Sequence, residues 1–149
     1  MTFSLIARDE ITGFYGIAVA SRFFAVGATI PHFGQNCAVA SQALVNPMWG
    51  VAGREHLSAG MSASEALNAT KILDNGQSQR QVHMIDQRGR TAAHTGADCI
   101  GWAGHLTADG VSVAGNMLEN NQVIAAMMQY YTDHKTVEFA SRILGAMQA

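Results

Sequence analysis

The sequence predicts an α+β fold, with helices on the outside of two antiparallel sheets. Strand patterns come first, over residues 2–20 and 37–43; helix patterns follow over 51–73, strand patterns again over 81–116, and helix patterns to the end. That order lacks the strict β-α-β alternation of a doubly wound sheet, so helices and strands are expected to segregate. Length and composition agree: 149 residues, 48% of them hydrophobic, suffice for one domain with a real core. No repeat, low-complexity segment or composition shift divides the chain, and residues 1–149 read as a single domain.

Each element has a local reason. Thr2–Arg8 alternates, with Phe3, Leu5 and Ala7 on one face and Thr2, Ser4, Ile6 and Arg8 on the other. Residues 9–13 supply turn chemistry ending on Gly13, and 14–20 read as a second strand, small and apolar on both faces. The two make a hairpin. Residues 23–36 are an apolar connection punctuated by Gly and Pro, and Cys37–Ala43 is a third strand of small residues. Pro47 then favours a turn or a helix start. One helix is predicted over 51–59, with Gly60 as its left-handed cap. A second opens on Ser62 and Glu65 at capping-box spacing and carries Ala66, Leu67, Thr70 and Leu73 to a stop at Asp74-Asn75-Gly76. Residues 81–86 and 90–95 form a hairpin over Gln87-Arg88-Gly89. Residues 96–110 read as a glycine-rich loop holding Trp102, and 110–116 as a short strand with Val111 and Val113 opposite Ser112. Asn120 or Asn121 caps an amphipathic helix with Val123, Ile124, Met127, Met128 and Tyr131 on one face. A last helix follows Thr136, with Ala140, Ile143, Leu144 and Met147 in register.

Charge excludes several function classes. The net charge is −2 and no basic run exists, so no nucleic-acid partner is expected. No apolar stretch approaches the ~18 residues of a spanning helix, and the N-terminus lacks a signal-peptide pattern. Two distant cysteines, Cys37 and Cys99, fit a reducing compartment, and the cytoplasm is the expected location. Charged residues are only 13%, against about 25% in an ordinary soluble domain. Some apolar surface is therefore expected to be buried against a second subunit or a missing segment, and a homo-oligomer is expected.

Few residues carry chemistry by pattern. Six histidines invite a metal site, but none stands at H-E-x-x-H spacing and no Cys-x-x-Cys exists. His83 and His94 fall on neighbouring strands, where ordinary strand histidines, one partly buried, are expected. The glycines around Trp102 form neither a dinucleotide fingerprint nor a P-loop, and no Gly-x-Ser-x-Gly elbow occurs. No cofactor is expected. Cys37, in a run of small residues, reads as a buried hydrophobe. Thr2 differs: with Met1 removed, it would hold a hydroxyl and a free α-amine on one residue. On position alone, a strand threonine chosen for β propensity explains it as well.

Several runs are more specific. They are Met1-Thr2-Phe3-Ser4, the run from Gly16 through Ala20-Ser21-Arg22-Phe23-Phe24 to Gly27, Gln42-Ala43-Leu44-Val45-Asn46-Pro47, Thr95-Gly96-Ala97, Trp102-Ala103-Gly104-His105 and Gly115-Asn116-Met117-Leu118. Together, over essentially the whole chain, they resemble the bacterial family called domain of unknown function 1028. The resemblance implies a four-layer α-β-β-α sandwich similar to the N-terminal-nucleophile hydrolases, which include proteasome subunits and several amidases. It implies a small amide or short peptide as substrate, Thr2 as nucleophile and the Thr2 amine as base. Ser21 and Arg22, ending the second strand, become polar support for that amine; donors at Ser41, Gln42 or Asn116 become the oxyanion site. No lysine stands where proteasome-type sites have one, since Lys71 and Lys135 fall in helical stretches. Relatives continue past the final helix with a further strand, so one sheet here is expected to lack a strand. A second reading stays open, a non-catalytic binding or assembly module on the same sandwich.

Overall fold

The computed structural model describes residues 1–149. The chain opens with the hairpin of β1 (Thr2–Arg8) and β2 (Tyr15–Ser21). Its turn closes on Asp9, whose carboxylate accepts the Thr12 N–H at 3.0 Å, and Gly13 takes the left-handed φ of 75° that a side chain would resist. The connection over 23–36, expected to be irregular, holds a one-turn helix α1 (Val26–Thr29) and a short strand β3 (Pro31–Gly34). Four residues between Pro and Gly are too few to register as an alternating pattern. Strand β4 (Cys37–Ala43) follows as predicted.

Helix α2 (Pro47–Ser58) starts four residues before the predicted position. Asn46 is the reason: its side-chain oxygen accepts the Met48 N–H at 3.0 Å, and Pro47 sits at the first helical position, where a missing N–H costs nothing. Gly60 ends this turn at φ 96°. Helix α3 (Ala63–Lys71) opens on the predicted box of Ser62 and Glu65. It stops short of Leu73, which is exposed rather than packed. Strands β5 (Arg80–Ile85) and β6 (Thr91–Thr95) form the second hairpin, bound up by the buried Asp86 carboxylate, which accepts N–H groups of Arg88, Arg90 and Ala63.

The segment read as a glycine-rich loop contains a full strand, β7 (Trp102–Ala108), paired with β8 (Val111–Leu118). It is an edge strand, half-exposed along its length, so neither face carries a clean apolar signal. Helices α4 (Gln122–Asp133) and α5 (Phe139–Gln148) complete the chain. Asn120 accepts the Gln122 N–H at 2.8 Å at the start of α4. In α5 the buried stripe is Ile143 and Ala146 flanked by Phe139 and Met147; Leu144 and Ala140 face outward, against the predicted register.

All sheet pairings are antiparallel, in two four-stranded sheets ordered β2-β1-β8-β7 and β3-β4-β5-β6. Leu5, Ala7, Val111 and Val113 of the first sheet pack on Ile124, Met127 and Ile143 of α4 and α5. Val39, Val82 and Met84 of the second pack on Trp49, Leu57 and Ala66 of α2 and α3. The remaining faces meet each other through Ile6, Ile30, Ala38, Ala40 and Ile85. Buried apolar area at about 25 cal/mol per Å² drives each of the three contacts. The layer between the sheets changes character along its length. It is apolar around Ile6 and Ile85 and polar toward the start of β1, where Ser4, Gln42, Gln81 and His83 are fully buried.

Candidate functional site

The polar end is organised by a row of three residues. Thr2 pairs with Ser21 on β2 and with Asn116 on β8, so Thr2 is the middle of the row. Its Oγ1 lies 2.8 Å from Ser21 Oγ. Ser21 Oγ also accepts the Phe23 N–H at 3.0 Å and donates to the Met1 carbonyl at 3.3 Å. A serine hydroxyl has one hydrogen, so with Met1 in place Thr2 is the donor to Ser21.

Asn116 is aimed by a β-bulge. Trp102 pairs with Leu118 and Gly104 with Gly115, so Ala103 alone faces both Asn116 and Met117. The extra residue turns Met117, like Asn116, into the cavity before Leu118 returns to the helix side. Met117 adopts φ 54° and Ala43, next to Gln42 on the facing sheet, φ 70°. A left-handed non-glycine residue costs roughly 1–2 kcal/mol. Both strained residues directly follow an amide residue of the site, where such strain tends to collect.

Gln81 joins the two amides. Its Oε1 accepts from Gln42 Nε2 at 2.8 Å and from Asn116 Nδ2 at 3.0 Å, while its Nε2 donates toward Thr95 Oγ1, Gly104 O and Gly115 O. One side chain from β5 thus ties its own sheet to β7 and β8 of the other. Asn116 keeps one Nδ2 hydrogen and its Oδ1 without a protein partner. Behind Gln42, Ser4 gives its hydrogen to Gln42 Oε1 at 2.7 Å and therefore accepts from His83 Nε2 at 2.9 Å. His83 Nδ1 then accepts from Ser112 Oγ at 3.0 Å. This fixes a neutral imidazole, and burial, with His105 nearby, pushes its pKa down to about 3.

These groups border a cavity of about 610 Å³ between the ends of the sheets. Its apolar walls include Ile30, Leu44, Val45 and Ile100. The Leu44–Asn46 wall is held from behind by Asp74, whose carboxylate accepts from Trp49 Nε1 at 2.7 Å, Asn46 Nδ2 at 3.0 Å and Arg80 Nε at 3.0 Å. Arg80 in turn donates to the Leu44 carbonyl at 2.6 Å. The Arg80 guanidinium, then Asn46, hold the Asp74 carboxyl far below the usual carboxylate range.

Thr2, Ser21, Arg22, Gln42 and Asn116, the residues singled out from the sequence, all line this cavity. Arg22 is the partial exception: it is exposed at the mouth and makes no hydrogen bond to Thr2 or to Met1. Ser41 faces the other way, on the helix side of β4, with its hydroxyl on the Asn46 carbonyl. His83 and His94 do not meet, because their register places them on opposite faces of the hairpin. His83 is fully buried rather than partly so. Cys37 is buried among apolar side chains, which pushes its thiol pKa up. Sequence reasoning missed Gln81, Asp74 and Asp98; the one available signal was Gln81 itself, an amide two residues before His83 and on the same face of a strand that also carries Val82, Met84 and Ile85.

The sequence profile of a family of unknown function, DUF1028, matches residues 2–149. The chain belongs to this family. The crystal structure of protein SPO2555 from Silicibacter pomeroyi, assigned to the same DUF1028 family, superposes with a TM-score of 0.92 at 32% sequence identity. The alignment covers 98% of this chain and 65% of that one, so the chain spans less than two thirds of its relative. No curated protein matches the chain.

Proposed function

We propose that this protein is an amide hydrolase of the N-terminal-nucleophile type, acting through Thr2 on a small amide or short peptide. The observation that carries the reading is the Thr2–Ser21 hydroxyl pair at the floor of a cavity that also receives Gln42 and Asn116. Two facing antiparallel sheets, each with a helix pair outside, support the likeness to that group's α-β-β-α sandwich. Site geometry, not fold, has to supply the activity.

With Met1 removed, the Thr2 amine has a pKa near ~8 and can act as a base close to neutral pH. It takes the Oγ1 proton as that oxygen attacks the amide carbonyl carbon. The unspent Nδ2 hydrogen of Asn116 supplies a donor for the carbonyl oxygen as it gains charge. The C–N bond breaks, the leaving amine takes the proton from the α-ammonium, and the acyl group stays on Oγ1 as an ester. Water, deprotonated by the same amine, hydrolyses that ester. Ser21 positions the nucleophile; loss of the Met1 carbonyl frees its hydrogen for the amine side. Both cysteines are free thiols, which supports a reducing, cytoplasmic setting. Exposed Phe23, Phe24 and Ile100 near the mouth support self-association.

The alternative is a binding module: were Met1 retained, the Thr2 nitrogen would be a peptide nitrogen and Ser21 would stay committed to the Met1 carbonyl. Intact mass of the protein purified from its own cells separates the two. Loss of Met1, with amide cleavage abolished in a folded Thr2→Ala variant, is the expected result. A retained Met1 in mature, folded protein sinks the self-activated threonine and leaves the binding module.

A further inference from the structure

We infer that the ligand of this cavity carries a charge at each end: a short peptide, about three residues long, with a free carboxylate held at Arg22 and a free ammonium at Asp98. The peptide bond to be cut rests on the hydrolase reading above; the charge placement does not depend on it.

Among the residues lining the cavity, Arg22 is the one cation and Asp98 the one anion. Neither is used by the fold. The ion pairs of the molecule are Arg54–Glu55, Arg80–Asp74 and Arg90–Asp86, and neither the Arg22 guanidinium nor the Asp98 carboxylate makes a hydrogen bond within the protein. Both side chains are solvent-exposed at the rim of the cavity, one charge of each sign.

Their placement gives the ligand a direction. Arg22 directly follows Ser21, beyond the β2 end of the row Ser21–Thr2–Asn116. Asp98 stands on the β6–β7 loop, which is tied to the Asn116 end. Its own N–H is anchored on the Ser78 carbonyl at 2.7 Å, and two residues later the Ile100 carbonyl accepts the N–H of Met117, the neighbour of Asn116. Two strand spacings of about 4.8 Å put the ends of the row roughly 10 Å apart, with Thr2 midway. An extended chain advances about 3.3–3.6 Å per residue, so about three residues span the row from Ser21 to Asn116. The cavity wall between the charges is neutral, made of the Gln42 and Asn116 amides and of apolar Ile30, Leu44 and Val45. A guanidinium pairs well with a carboxylate, often through two parallel hydrogen bonds. A carboxylate at Asp98 likewise suits an ammonium.

The test is calorimetric binding of alanyl-leucyl-alanine to the full-length Thr2→Ala variant, with the peptide free, N-acetylated, C-amidated or doubly capped. The free peptide should bind tightest, with each cap weakening it about tenfold. Arg22→Ala should abolish the penalty of the C-terminal amide alone, and Asp98→Asn that of the acetyl group alone. Equal binding of free and doubly capped peptide, effects that do not sort by end, or no saturable binding of any form to about 10 mM would each overturn the inference. Turnover by the unsubstituted protein is read separately by mass spectrometry. Cleavage of capped and free peptides at equal rates keeps the hydrolase and removes the charge recognition. End-selective binding without cleavage does the reverse.

Discussion

Thr2 Oγ1 stands 2.8 Å from Ser21 Oγ, on neighbouring strands and in direct register. Ser21 has few other duties in the fold, whereas Thr2 occupies the middle of the row. Ser21→Ala should therefore lower the rate at which a β-lactone acylates Thr2 by about ten- to a hundredfold, in the range of positioned proton-transfer partners. Stability should change by only about 1 kcal/mol, since two of the three hydrogen bonds of this hydroxyl, to the Phe23 N–H and the Met1 carbonyl, are exposed. Time-resolved intact mass gives the first quantity and urea unfolding the second. An unaltered acylation rate would remove Ser21 from the site.

Gln81→Leu should destabilise the fold by about 2–4 kcal/mol. It leaves Gln42 Nε2 and Asn116 Nδ2 without an acceptor and Gly115 O without this donor, all in a buried layer where each unmet group costs about 1–3 kcal/mol. Gln129→Ala, on the exposed side of α4, should cost under about 0.5 kcal/mol in the same urea series. Equal costs for the two variants would contradict the bridging role.

His83 makes the fold acid-sensitive over a defined window. Its folded pKa is lowered to about 3 by burial, below the unfolded value near 6.5. The unfolded chain therefore binds the extra proton first. Stability is complete above pH ~6.5 and declines toward pH ~3, by up to about 1.4 kcal/mol per pH unit for one proton. His32 and His105 are depressed in the same direction, chiefly by burial, so the difference between the protein and His83→Gln isolates this residue. Urea midpoints from pH 7 to 4 should fall less steeply in the variant; parallel slopes would count against the buried neutral ring.

Asp74 acts in a lower window. Arg80, then Asn46, depress its carboxyl, so its stabilisation is complete above the unfolded pKa near ~4 and is lost as pH falls toward the folded value. Asp74→Asn should flatten the stability profile below pH ~4. It should also loosen the Leu44–Asn46 wall, read as faster amide hydrogen exchange at residues 44–46. Unchanged exchange there would show that the wall stands without this carboxylate.

Gly96→Ala should be among the most damaging substitutions of a small side chain. A Cβ there would run into the backbone carbonyls of Ser78 and Gln77, which cannot swing aside. The β6–β7 loop carrying Asp98 and Ile100 would have to shift. A loss of about 1–3 kcal/mol is expected, with altered ligand binding in whatever folds. Wild-type stability in a thermal melt would show that the loop moves freely.

Alternation and capping made most of this fold readable. Phe3, Leu5 and Ala7 do take the helix side of β1, and Ser62 with Glu65 does start α3. What escaped were elements whose burial pattern is diluted. Strand β7 has glycine in it and water along it, and β3 has four residues. In α5 the apolar residues exceed what one face can bury, so sequence alone did not say that Ala146 would be covered and Leu144 exposed. The candidate site was reached through family resemblance at Thr2, Ser21, Gln42 and Asn116. Gln81 and Asp74 were not, because their importance lies in who accepts from whom across two sheets. That is a property of the assembled layers and not of any local run of residues.

The left-handed turns at Ala43 and Met117 separate two kinds of inheritance. Each comes one residue after an amide locked to Gln81, so the chain changes direction just past the amide that the site holds fixed. The Leu44–Asn46 wall, which follows Ala43, can thus be regarded as a replaceable panel on a fixed frame. A lineage retaining the frame could drift from one ligand to another through a handful of changes in that panel. An engineer could graft a new specificity onto the cavity by the same route, leaving the chemistry of the row untouched.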